Sequence, residues 1–426
     1  MAPSATRGSQ AGLTRSESRC CPGTSASSST SSTRSERAVS AHENEFPENR
    51  EANRANLLAA VDSVADALTA GRDESEKLRR LSPSSVEALR SSGLFKMKSP
   101  RAVGGAEAHP VTQMDVIEAV TMIDPAAAWC MFITSAVTGG VFASLSDESV
   151  DEVLADGFPF MAGSLRAGGR ARRIEGGYRV SGRWAWGSGV EHSDWVAVPV
   201  FSDGPPVIRA LVPTSEVILH DNWHTLGMRG TGSCDYELDD VFVPDRFAID
   251  ALGGGPPRGG ALMRLGLPAY VVNEHGSFAY ALGRLALQTM TETAIEKKRG
   301  YLGGVSLADR QVFQRTIGQG TIRMNACALA MAESLERMFD SAADGPPDPA
   351  LVTEAQAAAV WCTDEAIDLV SELFRFTGGS AVMNDSEMQR ILRDIYTVQS
   401  HLMVSAVVYE QYGQILLGMT EGGALP

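Results

Sequence analysis

Between Asn53 and Gly71 the apolar residues Leu57, Leu58, Val61, Val64, Ala65 and Leu68 recur at a 3.6-residue period, which predicts an amphipathic helix with one buried face. Ser82-Pro83-Ser84 caps a second helix that runs to about Ser92 and stops at Gly93. A third helical block covers roughly 111–155. Its uncharged stretch, Pro125 to Ser146, is long enough to span a bilayer but is filled with Ser, Thr, Gly and Ala, so a helix buried inside protein is predicted. Near Asp156 the texture changes to short alternating or β-branched runs: Tyr178–Val180, Trp184–Trp186, Trp195–Phe201, Val207–Val212 and Tyr236–Val243. Glu175-Gly176-Gly177 and Asp203-Gly204-Pro205-Pro206 separate these runs, the pattern of an antiparallel β-domain. After the Gly/Pro-rich linker Gly253–Gly260 the chain is helical again, broken at Asp344–Pro349, which suggests an antiparallel bundle. The expected division is a tail over 1–47, a helical domain over 48–155, a β-domain over 156–256 and a bundle over 257–426.

Composition supports this division. A chain of 426 residues with 44% apolar and 21% charged side chains is globular over most of its length and long enough for two or three units. Its 52 acidic and 37 basic residues leave a net charge of −15. The first 40 residues hold five Arg against two Glu, so the remainder carries −18. Such a surface repels phosphate backbones and anionic lipid, which excludes nucleic-acid and membrane-surface roles. The six cysteines are scattered, apart from Cys20 and Cys21, without metal-ligand spacing, as expected of a reduced, cytoplasmic protein. The first 40 residues, with 12 Ser and 5 Thr, are expected to be disordered. They lack the apolar run of a secretory signal.

Three stretches carry more specific information. The first is Ser181-Gly182-Arg183-Trp184-Ala185-Trp186-Gly187-Ser188-Gly189-Val190-Glu191-His192-Ser193-Asp194-Trp195. The second is Gly227-Met228-Arg229-Gly230-Thr231-Gly232-Ser233, followed by Leu238-Asp239-Asp240-Val241-Phe242-Val243-Pro244. The third is Phe376-Thr377-Gly378-Gly379-Ser380-Ala381, then Gln389-Arg390-Ile391-Leu392-Arg393-Asp394 and Ser400-His401. In this order and spacing they resemble the acyl-CoA dehydrogenase superfamily, and within it most closely the two-component flavin-dependent monooxygenases. The resemblance covers about residues 50–420.

The resemblance implies an α+β fold: an N-terminal helical domain, a central antiparallel β-domain and a C-terminal four-helix bundle. It further implies a flavin between β-domain and bundle, in a homotetramer whose neighbouring subunits complete the site. Trp186, Ser188 and Gly189 would bind the cofactor, with backbone N–H groups and the Ser188 hydroxyl at the polar edge of the isoalloxazine and a Trp on its face. For the strand aromatics Trp184 and Trp186, core packing is the alternative. Arg229 would approach flavin or substrate, its alternative being a loop-fixing ion pair. Lys297 and Arg299 occupy the stretch that would meet a neighbour's flavin phosphates, or form a solvated charge run. Gly378 and Gly379 would let a loop approach a neighbouring cofactor, and Ser164 falls in a substrate-contacting loop.

The last helix discriminates between branches. An acyl-CoA dehydrogenase needs a carboxylate base, and the resemblance places it some eight residues beyond Arg393-Asp394. That register holds His401-Leu402, and no acid follows until Glu410. Glu274, a displaced base in principle, misses the matching position. The monooxygenase branch carries a His here, and His401 matches it. An imidazole could assist oxygen chemistry, and a hydroxyl at N5 could protect a C4a-hydroperoxyflavin. Asp394, Thr397, His401 and Ser405 would share one helix stripe. His220 and His224 have i, i+4 spacing but no third ligand, so no metal site is expected. Without a Gly-rich strand-to-helix phosphate loop, no NAD site is expected either.

The expected function is therefore a monooxygenase that takes diffusible reduced FMN or FAD from a separate NAD(P)H:flavin reductase. With O₂ as co-substrate it would hydroxylate or N-oxygenate a small organic molecule. An acyl-CoA dehydrogenase or oxidase with a displaced carboxylate, and a non-catalytic flavin-fold interaction protein, are the alternatives.

Overall fold

The computed structural model describes residues 45–250, 257–296, 298–299, 304–420 and 422. Residues 1–44 of the expected tail, the first half of the Gly253–Gly260 linker and Lys297 lie outside the described residues, as does the side chain of Arg299.

Helix α1 (Arg50–Leu78) starts where Asn49 accepts a hydrogen bond from the Ala52 N–H, and buries Leu57, Val61, Val64 and Leu68, as the sequence period predicts. It runs two turns past Gly71 because Arg72, Asp73 and Glu76 pair with Glu387, Arg390 and Arg393 of a distant helix. Helix α2 (Pro83–Ser92) is capped by Ser82 and stopped by Gly93 in the left-handed region at φ 70°. The third helical block divides into α3 (Pro110–Ile123), α4 (Pro125–Phe142) and α5 (Asp147–Leu154). Asp124 accepts from the Ala126 and Ala127 N–H groups at 2.9 and 3.3 Å and restarts the chain as α4. Helix α4, the apolar one, is 72% buried inside the protein.

Eight strands follow: β1 (Met161–Gly163), β2 (Arg170–Ile174), β3 (Gly177–Trp184), β4 (Trp195–Ser202), β5 (Val207–Pro213), β6 (Ile218–His220), β7 (Asp235–Pro244) and β8 (Ala248–Asp250). They form one sheet in the order β6-β7-β3-β2-β4-β5-β8, with β1 also on β4. Most pairs are antiparallel, but β1 and β2 both run parallel to β4, so the sheet is mixed rather than purely antiparallel. The chain leaves β3 through the loop at 185–194 and re-enters beyond β2. Strand β4 therefore opposes β3 and runs with β2. The loop made by this excursion carries Trp186, Ser188 and Gly189.

The C-terminal part comprises a short α6 (Ala261–Arg264), then α7 (Val272–Ala294), α8 (Gln311–Ser341), α9 (Pro349–Phe374), α10 (Glu387–Val398) and α11 (Val407–Leu416). A two-stranded ribbon, Lys298–Arg299 with Val305–Ser306, links α7 to α8. Phe278, Leu282, Met324, Leu335, Leu369 and Leu373 build a core that continues into α1, α3 and α4. Helices α7 and α9 approach closely: a Cβ on Gly276 would lie 2.7 Å from the Ala359 Cα.

The predicted last helix does not continue to Ser405. It ends at Val398, and His401 takes an extended backbone, φ −76° and ψ 140°. Its Nδ1 accepts from the Met403 N–H at 3.2 Å, capping a single turn at Leu402–Val404. The side chain competes with the helix for a backbone donor and wins. Asp394 and Thr397 thus share a helical stripe, whereas His401 and Ser405 lie beyond it, and Leu402 is exposed.

Candidate active site

Helix α10 holds the segment at 226–228 by three residues. Arg393 donates to the Leu226 carbonyl at 2.9 Å and to Glu76 at 2.8 Å. Asp394 accepts the Met228 N–H, and Thr397 accepts the Gly227 N–H at 2.9 Å. Burial pushes the Asp394 carboxyl up to about 7. The clamp fixes the loop at 227–233, on which the turn at 186–190 is in turn fastened. The Gly187 N–H donates to Cys234 O and the Gly189 N–H to Thr231 O, at 3.0 and 3.1 Å.

Ser188 sits in this turn, buried. Its Oγ accepts from the Trp129 indole N–H at 2.9 Å and lies 2.8 Å from Ser233 Oγ. Ser233 meets Thr231 Oγ1 at 2.7 Å, and Thr231 donates to the Met228 carbonyl at 2.8 Å. The expectation that backbone N–H groups of this run face the cofactor is narrowed, because four of them are already engaged. Those of Gly187, Ser188, Gly189 and Val190 are engaged by Cys234, Trp186, Thr231 and Gly187 carbonyls, because the tight turn closes on itself and on the second loop. The hydroxyl remains. Trp184 and Trp186 also separate. Trp184 is core, stacked on Tyr236 at 5.9 Å, whereas Trp186 is 69% exposed at φ 63°. A bulky residue held in the left-handed region is costly, and here it holds an indole outward beside a buried hydroxyl.

Trp129 links this loop to the bundle. Its ring lies edge-on to His275 at 5.3 Å, to His401 at 5.7 Å, and to Phe132 and Phe278. The two imidazoles stack at 4.0 Å with 22° between planes. Both ring nitrogens of buried His275 lack a hydrogen-bond partner among the described residues. Burial pulls His401 down to about 4. It pulls His275 well below its ordinary value too, helped by His401 and Lys98. A depressed imidazole is neutral above its folded value. The ring signals of both histidines are therefore expected to stay unchanged from pH 8 to about pH 5.5 in NMR titrations, without a midpoint near the ordinary 6.5.

Behind His275, Lys98 is fully buried. Its Nζ donates to Glu274 at 2.5 Å and to the Tyr270 carbonyl at 2.6 Å, and lies over the Tyr270 ring. Burial favours the neutral form of both partners, lowering Lys98 and raising Glu274, while their mutual attraction opposes it. Glu274 is thus engaged and enclosed rather than free as a base.

The other expected residues stand apart. Arg229 donates to the Thr225 carbonyl at 3.0 Å and lies 3.7 Å from Glu76, the loop-fixing arrangement. Ser164 Oγ accepts the Arg166 N–H at 3.1 Å, closing its own turn after β1. Gly378 has φ 74°, and a Cβ on the exposed Gly379 would meet nothing within 4 Å. His220 is engaged by Glu237 at 3.0 Å and His224 by Arg79 at 3.3 Å, so the two do not converge. A cleft of about 480 Å³ beside Arg50, Asn53, Glu107 and His109 lies elsewhere. Sequence reasoning left Trp129, Thr231, Ser233, His275 and Lys98 without roles. Thr231 and Ser233 stood inside a quoted motif, and the only indole of the uncharged stretch was a usable signal for Trp129.

Residues 275–406 match the family model described as "Acyl-CoA dehydrogenase, C-terminal domain". The pigment production hydroxylase of Rhodococcus erythropolis is 26% identical, over 87% of this chain and 98% of that protein. The oxygenase component of FADH₂-dependent resorcinol hydroxylase from Rhizobium sp. is 27% identical, over 86% and 95%. Among solved structures, XiaF from Streptomyces sp., in complex with FADH₂ and glycerol, superposes with a TM-score of 0.78 at 25% identity, over 86% and 96%. The fold is acyl-CoA dehydrogenase-like, and the resemblance to oxygenase components of flavin-dependent monooxygenases is borne out.

Proposed function

We propose that this chain, with its acyl-CoA dehydrogenase-like fold, is the oxygenase component of a two-component flavin-dependent monooxygenase. It takes reduced FMN or FAD from a separate NAD(P)H:flavin reductase and, with O₂, inserts one oxygen atom into a small organic substrate. An aromatic ring is the class favoured by relatives such as the resorcinol hydroxylase. The observation that carries this reading is the Trp129 ring. It bonds to Ser188 at 2.9 Å and lies edge-on to His401 at 5.7 Å. Two residues assigned from separate motifs therefore meet through one side chain.

A flavin suits the residues present. The turn at 186–189 offers an exposed aromatic ring, a buried hydroxyl with an acceptor position to spare, and Gly189 in the left-handed region at φ 70°. When bound, the reduced flavin supplies the electrons that activate O₂. The chain's own residues then have three tasks. Ser188 holds the N5 edge, neutral His401 manages protons at the oxygen chemistry, and the apolar wall of Trp129, Phe132 and Phe278 keeps water out. Ser164 in the substrate loop belongs to the same reading. So does Arg229 as a contact to flavin or substrate, and so do Lys297, Arg299, Gly378 and Gly379 as cofactor contacts completed across subunits of a cytoplasmic homotetramer. Exposed Val382 and Met383 beside the glycines support a covered surface there.

The Lys98 partnership weighs against Glu274 as the base of an acyl-CoA dehydrogenase. To test the reading, the protein is mixed anaerobically with reduced FMN or FAD, and then with oxygenated buffer, while absorbance is followed. A transient band belonging to neither oxidised nor reduced flavin is expected. Immediate return of oxidised flavin with one hydrogen peroxide per flavin would reject the oxygenase. Bleaching of bound oxidised flavin by an acyl-CoA would favour the dehydrogenase.

A further inference from the structure

The hydroxyl series at Ser188 has a direction, set by its two ends. A carbonyl only accepts, so at Met228 O the hydrogen belongs to Thr231. Having given its proton there, Thr231 accepts from Ser233 across 2.7 Å, and Ser233 accepts from Ser188 across 2.8 Å. At the other end an indole N–H only donates, and Trp129 gives it to Ser188 at 2.9 Å. The Met228 carbonyl is itself held, also taking hydrogen bonds from Trp223 Nε1 at 3.0 Å and the Thr231 N–H at 3.2 Å, while the Met228 N–H is bound by Asp394. The single proton of Ser188 therefore points into the protein, and only a lone pair remains for a ligand.

We propose that this ordered series, running from Trp129 through Ser188, Ser233 and Thr231 to the Met228 carbonyl, makes the site select reduced over oxidised flavin. Nitrogen N5 of a reduced flavin carries a hydrogen, which an acceptor-only Ser188 can take. Nitrogen N5 of the oxidised ring presents a lone pair, which would face the lone pair of Ser188. Thr231 and Ser233 are positioning residues in this scheme, acting through Ser188. The inference rests on the placement of Ser188 at the N5 edge.

The test compares dissociation constants of the reduced and oxidised forms of one flavin, the reduced form titrated anaerobically, with thermal melts confirming that each variant is folded. In the wild type the reduced form binds tighter. In Thr231→Val, Ser233 can turn its proton back toward Ser188, whose own hydrogen is released to the ligand. In Ser233→Ala the Ser188 hydrogen loses its internal acceptor. Each variant is expected to lower the preference for reduced flavin by about tenfold, chiefly through tighter binding of the oxidised form. Thr231→Ser keeps the hydroxyl and retains the wild-type ratio. If both hydroxyl deletions leave the ratio unchanged while Ser188→Ala alters it, the directed series is overturned and the Ser188 placement survives. If Ser188→Ala changes neither affinity, the placement itself fails.

Discussion

Lys98→Met is expected to lose about 3–5 kcal/mol of folding stability, measured by urea or guanidinium unfolding. The ammonium is completely enclosed and Glu274 nearly so. Removing the cation strands a carboxyl where neither water nor another described cation answers it. Burial alone then raises Glu274 further above the ordinary carboxylate range. The folded variant holds a proton there that the unfolded chain releases. A raised folded value stabilises below it and loses that contribution as pH rises. The variant should thus weaken by up to about 1.4 kcal/mol per pH unit through the neutral range, and its deficit should be smaller at pH 5 than at pH 8. Adding Glu274→Met removes the stranded group and should restore most of the loss, since apolar replacement of a whole buried pair is often neutral or better. A double variant as unstable as the single one would mean that packing, not charge, dominates here.

His401→Ala is expected to reduce oxygenated product by about 10²–10⁴-fold, the usual contribution of a positioned acid or base. Reduced-flavin affinity should stay close to wild type. Oxygen consumption should continue, so the measurement that separates the roles is product formed per O₂ consumed, with peroxide making up the difference. Because His401 is neutral above about pH 4, its loss should not abolish any inflection of the rate profile near pH 6.5. Undiminished product yield in a folded His401→Ala protein would remove this imidazole from the chemistry.

Much of the fold was legible because it depends on local pattern. Leu57, Val61, Val64 and Leu68 are buried at the expected period, and β3, β4, β5 and β7 contain the alternating runs. Short β1, β6 and β8 carry too few residues for a period to emerge. The mixed character of the sheet depends on where a loop re-enters, which no strand's own residues encode. The far end of α1 is charged and was not counted as helix. Its partners lie more than 300 positions away on α10. At the site, Ser188 and His401 were reached through motif register. Their connection was not, because Trp129 has the composition of a core residue and its indole N–H gains meaning only from the hydroxyl it meets. His401 itself was misplaced on a continuous helix, since a side chain capping the next turn leaves no mark on periodicity. His275 and Lys98 are invisible singly, because their character comes from burial and neighbours.

The tight seam at Gly276 bears on how this scaffold can be diversified. With the Ala359 backbone directly opposite, α7 has no room to move toward α9, and His275 is the adjoining residue on that helix. Under the proposed function, a larger side chain at position 276 would force α7 and α9 apart and shift the neighbouring His275, which stacks on His401. On that same proposal, changes in accepted substrate size should accumulate in the sheet loops around Ser164 and Trp186, where side chains can lengthen or shorten without moving a helix. A mutational library confined to those loops would yield more folded, active members than one of equal size directed at α7 and α9.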